Sequence, residues 1–225
     1  MRALMFAAAL LAAPACVVSR AAAEPSDYHI DFAHTQVVFS IDRFGFNHVI
    51  GRFDGRIDAQ GHQITAPDPT AIPVIAGDMM LDQATPAHSS VNATIQMAGL
   101  TTGNLQRDTI IKGDRWLNVT QFPTMTFRST AVQITDATHA QVTGDLTLMG
   151  QTHPLTLAVT LNKIGATPDG AQAAGFTATG VVHRSQWGLT TATGLIGDEI
   201  VITIEALGAL PRTAGKTAWL IREDA

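Results

Sequence analysis

The sequence predicts an all-β domain, a meander of about eight antiparallel strands that curls on itself. Three observations lead there. Apolar and polar residues alternate with a period of two along the body of the chain, and no long helical pattern competes with them. Turn chemistry separates the alternating stretches, as in Ala59-Gln60-Gly61, Met149-Gly150-Gln151 and Thr167-Pro168-Asp169-Gly170. Each stretch has one apolar face, which closure of the sheet would bury while removing the exposed edges.

The chain has 225 residues, within the range of a single β domain. Its start, Met1-Arg2-Ala3-Leu4-Met5-Phe6 with an Ala/Leu run to Val18 and then Ala21-Ala22-Ala23, has the form of a secretory signal peptide over residues 1–23. That predicts a periplasmic or secreted protein whose mature part has lost Cys16, the only cysteine. Disulfides, thiolate catalysis and Cys-ligated zinc would then be ruled out. Ala13-Pro14-Ala15-Cys16 is a poor lipoprotein signal, because it has Ala13 where a large aliphatic residue is usual. No later stretch is long and apolar enough to span a membrane as a helix. Lys+Arg number 14 against 19 Asp+Glu, a net charge of −5, which argues against a nucleic-acid partner.

In the first strands, Val37, Phe39 and Ile41 alternate with Val38, Ser40 and Asp42. Over 49–58, Val49, Gly51, Phe53, Gly55 and Ile57 share one face, opposite Arg52, Asp54, Arg56 and Asp58, so one half-buried strand is expected. The proline-bearing stretch 62–90 reads as a long surface loop around one further strand near 72–81. Val91, Ala93, Ile95 and Met97 then form another apolar face.

The polar run Leu100–Asp108 breaks the alternation. Thr101 or Thr102 is placed to cap a short helix, giving a helical segment near 101–118 laid across a barrel end or side. Strands resume over 124–135. Val142, Gly144, Leu146 and Leu148 form the next apolar face, followed by Leu155, Leu157, Val159 and Leu161. A strand over 175–184 and the face Ile200, Ile202, Ile204, Ala206 complete the set. The domain is expected to span 24–210, with residues 211–225 a weakly ordered tail.

The inward faces place large residues beside small ones: Phe53 by Gly51 and Gly55, Leu146 by Gly144, Phe176 by Ala178 and Gly180. Two readings stay open. Either the small residues leave room for one guest in the lumen, or they only let the sheet bend around a packed core. An apolar lumen would suit an aliphatic or isoprenoid chain and not a sugar or a nucleotide.

Eight histidines (His29, His34, His48, His62, His88, His139, His153, His183) form no metal-ligand spacing, so no metal site is expected. His34 and His153 read as structural hydrogen-bonding residues. No Gly-x-Ser-x-Gly elbow or phosphate loop occurs, and no catalytic residue is assigned. Arg107 has two readings, a head-group donor near a barrel mouth or a pin for the short helix through Asp108 or Asp114. Arg184, before Trp187, is expected to close a barrel end by stacking on an aromatic ring.

Several stretches together resemble the YceI-like family of secreted bacterial proteins. They are Tyr28–Phe39, Gly51–Ile57, Leu100–Asp108 continuing through Trp116-Leu117 to Phe122–Phe127, Gly144–Leu155 and Arg184–Leu189. The resemblance covers residues 28–209, with an unusually long 62–90 segment and with Trp187 where Phe is commoner. It implies a lipocalin-like eight-stranded antiparallel barrel, a polyisoprenoid or other long-chain amphiphile in its lumen, periplasmic or secreted placement, and no catalytic chemistry or cofactor beyond the bound lipid.

The lining residues then expected are Val37, Phe39, Ile41, Phe53, Ile57, Phe127, Leu146, Leu148, Leu157 and Phe176. Phe44, Phe46, Arg107, Trp116 and Phe122 are the rim candidates. The bound lipid, a polyisoprenoid, prenyl quinone or fatty-acyl chain, is the one partner expected, and the oligomeric state is open, a homodimer among the options. The competing readings are a packed barrel acting through its outer surface as an interaction or stress-response module, and, third, a metal-assisted enzyme.

Overall fold

The computed structural model describes residues 24–66 and 68–211; the expected signal peptide and all but the first residue of the expected tail lie outside the described residues. The strands are β1 (Ser26–Ile30), β2 (Gln36–Arg43), β3 (Asn47–Phe53), β4 (Arg56–Ile57), β5 (Gln63–Ile64), β6 (Ile72–Pro73), β7 (Ile75–Leu81), β8 (Ser90–Gln96) and β9 (Leu100–Thr101). The helix α1 (Leu105–Lys112) follows, then β10 (Thr124–Ile134), β11 (His139–Leu148), β12 (Gln151–Ala166), β13 (Gln172–His183) and β14 (Ile196–Ala209).

Eight strands close an antiparallel barrel in the order β1-β7-β8-β10-β11-β12-β13-β14, and β1 returns to β14 through His29↔Ala209 and Ile30↔Gly208. Register shifts at Ser129/Ala131 in β10 and Leu161/Lys163 in β12 mark irregularities in these long strands, of the kind that add bend and twist to a sheet. The long β14 has a second partner. Its C-terminal end meets β1, while residues 196–205 pair with β2, which carries β3 and β9 with it. The ring therefore includes β1 and β7, and the β2–β3–β9 ribbon runs alongside it.

The single strand expected over 49–58 is two. Gly55 takes φ +72 and its carbonyl accepts the Val74 N–H at 3.0 Å, so the chain turns after Phe53 and the alternation restarts in β4. Ile57 consequently belongs to the small β5-β4-β6 sheet. The stretch 72–81 is strand, as β6 and β7, with Val74 fully buried between them.

The helix is shorter than the 101–118 segment, and its cap differs from expectation. Asn104, not Thr101 or Thr102, caps α1, its Oδ1 accepting the Arg107 N–H at 3.0 Å. The two threonines instead hold the Asp108 side chain, as described below.

Candidate functional site

The barrel encloses a cavity of about 1030 Å³, at the upper end of the ~300–1,000 Å³ usual for ligand pockets. It runs from α1, where Asn104, Gln106, Arg107, Ile110 and Trp116 face it, to the β10–β11 hairpin, where Asp136, Thr138 and His139 do. Most of the wall is Val, Ile, Leu, Phe, Met and Ala, contributed by alternate residues of the strands. Thr35, Asp82, Gln83, Ser89, Ser90 and Arg184 also line it.

The wall shows how the small residues act. Phe39 is opposite Gly51 in the β2–β3 ladder, and its ring fills the space a Cβ on Gly51 would take. Phe127 does the same to Gly144, and Leu157 to Gly180. The glycines thus do not themselves make the room. They let large side chains lie flat against the wall, which leaves the lumen open. Phe39 also meets Phe53, ring centroids 6.0 Å apart and tilted by 44°, in the usual range for aromatic pairs.

Nine of the ten residues expected to line the lumen face the cavity: Val37, Phe39, Ile41, Phe53, Phe127, Leu146, Leu148, Leu157 and Phe176. Ile57 does not, because the turn at Gly55 moves it behind the wall, where it is buried in the small sheet. Of the rim candidates, Arg107 and Trp116 face the cavity. Phe122 packs instead against Gly150, in the turn before β10. Phe44 and Phe46 stand on the β2–β3 turn beyond the cavity's end, with Arg43 4.6 Å over the Phe44 ring. Sequence reasoning does not assign Met79, Ile110 or Ile111 to the wall. Met79 follows the alternation Ile75, Gly77, Met79, Leu81 inside the stretch 72–81, a signal present in the sequence; the helical pair has no such signal.

At the α1 end, one threonine links two charged neighbours. The Thr102 hydroxyl accepts from Arg107 Nε at 2.7 Å and donates to Asp108 Oδ1, while the Thr102 carbonyl accepts from Arg107 Nη2 at 2.9 Å. Buried Asp108 also accepts from the Thr102 N–H at 2.9 Å and from the Thr101 hydroxyl at 3.2 Å. Arg107 therefore pins the helix, in line with one of its two readings, through Thr102 and not through a carboxylate. Lys112 donates to the Ala98 carbonyl at 2.6 Å, and burial lowers its pKa.

Arg184 does not stack on an aromatic ring. It is buried at 3% exposure and donates to the carbonyls of Gly197, Thr191, Ile196 and Leu189, holding the loop before β14. Adjacent Trp187 donates from Nε1 to the Leu146 carbonyl at 3.2 Å. His153 meets the Trp187 ring edge-on at 5.1 Å, so its role is packing; His34 bonds to Asp31 at 2.8 Å.

Six histidines each set Nδ1 against an aspartate: His29–Asp78, His34–Asp31, His62–Asp58, His88–Asp82, His139–Asp136 and His183–Asp198. Among the described residues no three His, Cys, Asp or Glu side chains gather as a metal site would require. Ser185, His183 and Asp198 meet, with Asp198 as the shared acceptor. Partial desolvation raises the Asp198 pKa, but the Ser185 N–H and hydroxyl and His183 outweigh it, so the carboxyl ends below its usual range. In that order of contacts the aspartate, not an imidazole nitrogen, receives the serine proton donor, which is not the arrangement that activates a serine nucleophile.

The sequence matches the YceI-like domain family over residues 28–207. Curated relatives include a UPF0312 protein of Enterobacter sp. (strain 638), 32% identical over 81% of this chain and 86% of that one. Protein YceI of Shigella flexneri is 31% identical over 84% of this chain and 90% of its own length. Among solved structures, BcnA of Burkholderia cenocepacia superposes with a TM-score of 0.63 at 21% identity, covering 79% of this chain and 98% of that one. A polyisoprenoid binding domain from Saccharophagus degradans superposes with a TM-score of 0.56 at 12% identity, over 82% and 98%. With its closed barrel and a family match across nearly all of it, the chain belongs to the YceI-like family.

Proposed function

We propose that the protein is a non-catalytic carrier that holds one long-chain amphiphile, a polyisoprenoid or a similar prenyl or acyl lipid, inside the barrel. The observation that carries this reading is the cavity of about 1030 Å³ whose wall is mostly Val, Ile, Leu, Phe and Met. Such a wall holds a guest by desolvation and dispersion, at about 0.8 kcal/mol per buried methylene. Ten or so buried carbons would give tight binding with little polar recognition, so selection would act mainly on chain length. The polyisoprenoid-binding neighbour supports the same ligand class. Residues 1–23 support export to the periplasm or beyond as a further part of the proposal.

The test is a mass measurement on protein produced from the full gene in a bacterial periplasm, first native and then denatured. The expected result is release of a single prenyl or acyl species and an N-terminus at Glu24. Protein that stays ligand-free when offered prenyl quinones and fatty amides overturns the carrier reading. So do Phe53→Asp and Leu146→Asp variants that fold and keep their full lipid content.

A further inference from the structure

The α1 end of the cavity carries a collar of exposed apolar side chains. Three segments form it, joined in series by hydrogen bonds. The Phe44 N–H on the β2–β3 turn donates to the Leu195 carbonyl at 2.8 Å. The loop that contains Leu195 reaches the turn after α1 through the Thr191 hydroxyl, which donates to the Arg115 carbonyl. On these segments Phe46 is 91% exposed, Leu195 56%, Ile110 56% and Phe44 45%. Ile110 also faces the cavity, so the apolar surface of the lumen continues outward at this residue.

The turn keeps its aromatic residues against local preference. Phe44 has φ +60 and Gly45 φ +70, with the Phe46 N–H donating to the Arg43 carbonyl at 3.2 Å. Two positive φ values in succession form a turn that favours Asn-Gly, and a bulky residue there is strained. Neither ring belongs to the core. Strain of this kind, at a site where polar residues would fold more easily, points to use of the exposed ring.

The charges around the collar are mixed, so any binding rests on its apolar side chains. Arg43 lies over the Phe44 ring, Arg107 is held by Thr102, and Arg115 is exposed after α1. Asp42 and Asp198 lie beside Phe44 and Leu195, Asp114 is exposed, and Asp108 is buried under Thr101 and Thr102.

We infer that this collar docks on a lipid bilayer, seating the cavity end, where Ile110 carries the apolar lumen surface outward, against the membrane that supplies or receives the bound chain. The inference rests on the reading of the lumen as a lipid cavity. Shallow insertion of Phe44, Phe46 and Leu195 has the chemistry of interfacial binding, which grows with the apolar area buried in the bilayer.

The test is flotation of the protein, expressed from its full gene, with vesicles of phosphatidylethanolamine and phosphatidylglycerol. All variants share one N-terminus, so their differences belong to the collar. The double variant Phe44→Asn/Phe46→Ser should lose roughly tenfold or more in partitioning. Leu195→Gln should lose part of that, and Val181→Thr on the outer wall none. Asn suits the φ of position 44, so the thermal midpoint of the double variant should not fall. The inference is overturned if the double variant floats like the wild type, or if a wild type that takes up prenyl lipid from detergent micelles does not float. It is also overturned if the collar variants convert a dimer to a monomer without any vesicle binding, which would make the collar a contact between copies. A protein that floats through its collar yet takes up no prenyl lipid leaves the collar standing and removes the lumen reading.

Discussion

The ring of Phe39 occupies the space over Gly51 that any other residue's Cβ would need, across one rung of the β2–β3 ladder. This contact sets how far the ring projects into the lumen. Gly51→Val should push the ring inward, reduce uptake of a long prenyl lipid, and lower stability by about 1–3 kcal/mol through overpacking. Lipid content by mass and a urea melt read the two effects separately; unchanged uptake would show that the ring escapes elsewhere.

Arg184 should be among the most sensitive polar positions. Its guanidinium serves four backbone carbonyls in a buried setting. Arg184→Met leaves those acceptors unpaired and should cost about 3 kcal/mol or more in equilibrium unfolding. Arg184→Lys should recover little, because a single ammonium cannot reproduce the planar fork.

Asp108 should govern the helix and not the barrel. Asp108→Asn keeps the shape but places an amide where an acceptor receives three donors from Thr101 and Thr102. The expected cost is about 1–2 kcal/mol. It should appear as faster amide exchange in α1, with exchange in β11 to β13 unchanged, and as faster release of bound lipid at the end where α1 faces the cavity.

At the far end of the cavity acid should act only well below the usual carboxylate range. The Thr138 N–H, with further bonds from His139, lowers the pKa of the Asp136 carboxyl from 3.8 to about 2. A carboxyl lowered in the folded state supports the fold above its unfolded pKa, and that support fades as the pH falls from near 3.8 through about 2. A carboxyl titration by NMR should place Asp136 near the lower value, and Asp136→Asn should remove the accompanying acid-induced change in the amides of residues 134–139.

Most of the cavity wall is legible in the alternation alone, because parity is enforced wherever one face of a strand is buried. Val37, Phe39 and Ile41 in β2 and Leu146 and Leu148 in β11 face the lumen for that reason. Parity is silent about interruptions. Gly55 sits at an inward position in the pattern, yet its positive φ ends one strand and starts another, and Ile57 leaves the wall. Ring membership is hidden for a different reason. A strand as long as β14 accepts β1 at one end and β2 along the rest, and pairing partners cannot be read from one strand's own alternation. Arg184 reads in sequence as a residue that stacks on an aromatic ring at a barrel end, since the carbonyl cluster that receives its guanidinium is made by loop conformation and not by side chains. The helical wall residues Ile110 and Ile111 lie in a mostly polar segment and carry no periodic signal.

The ring closes where the first described strand meets the last, at His29 and Ala209. A nascent chain that lacks residues 196–209 has neither its β1 closure nor its β2–β3 ribbon in place, so it has no lumen to fill. Closing so long a loop is slow compared with forming the local hairpins β10–β11 and β11–β12. A ligand of the lumen could therefore not be acquired before the last strand is made. It would enter either as that strand docks, becoming part of the folded core, or afterwards through an end of a finished barrel. Those two histories predict different kinetics: a ligand taken up in the final folding step would speed folding, and one that enters later would only slow unfolding.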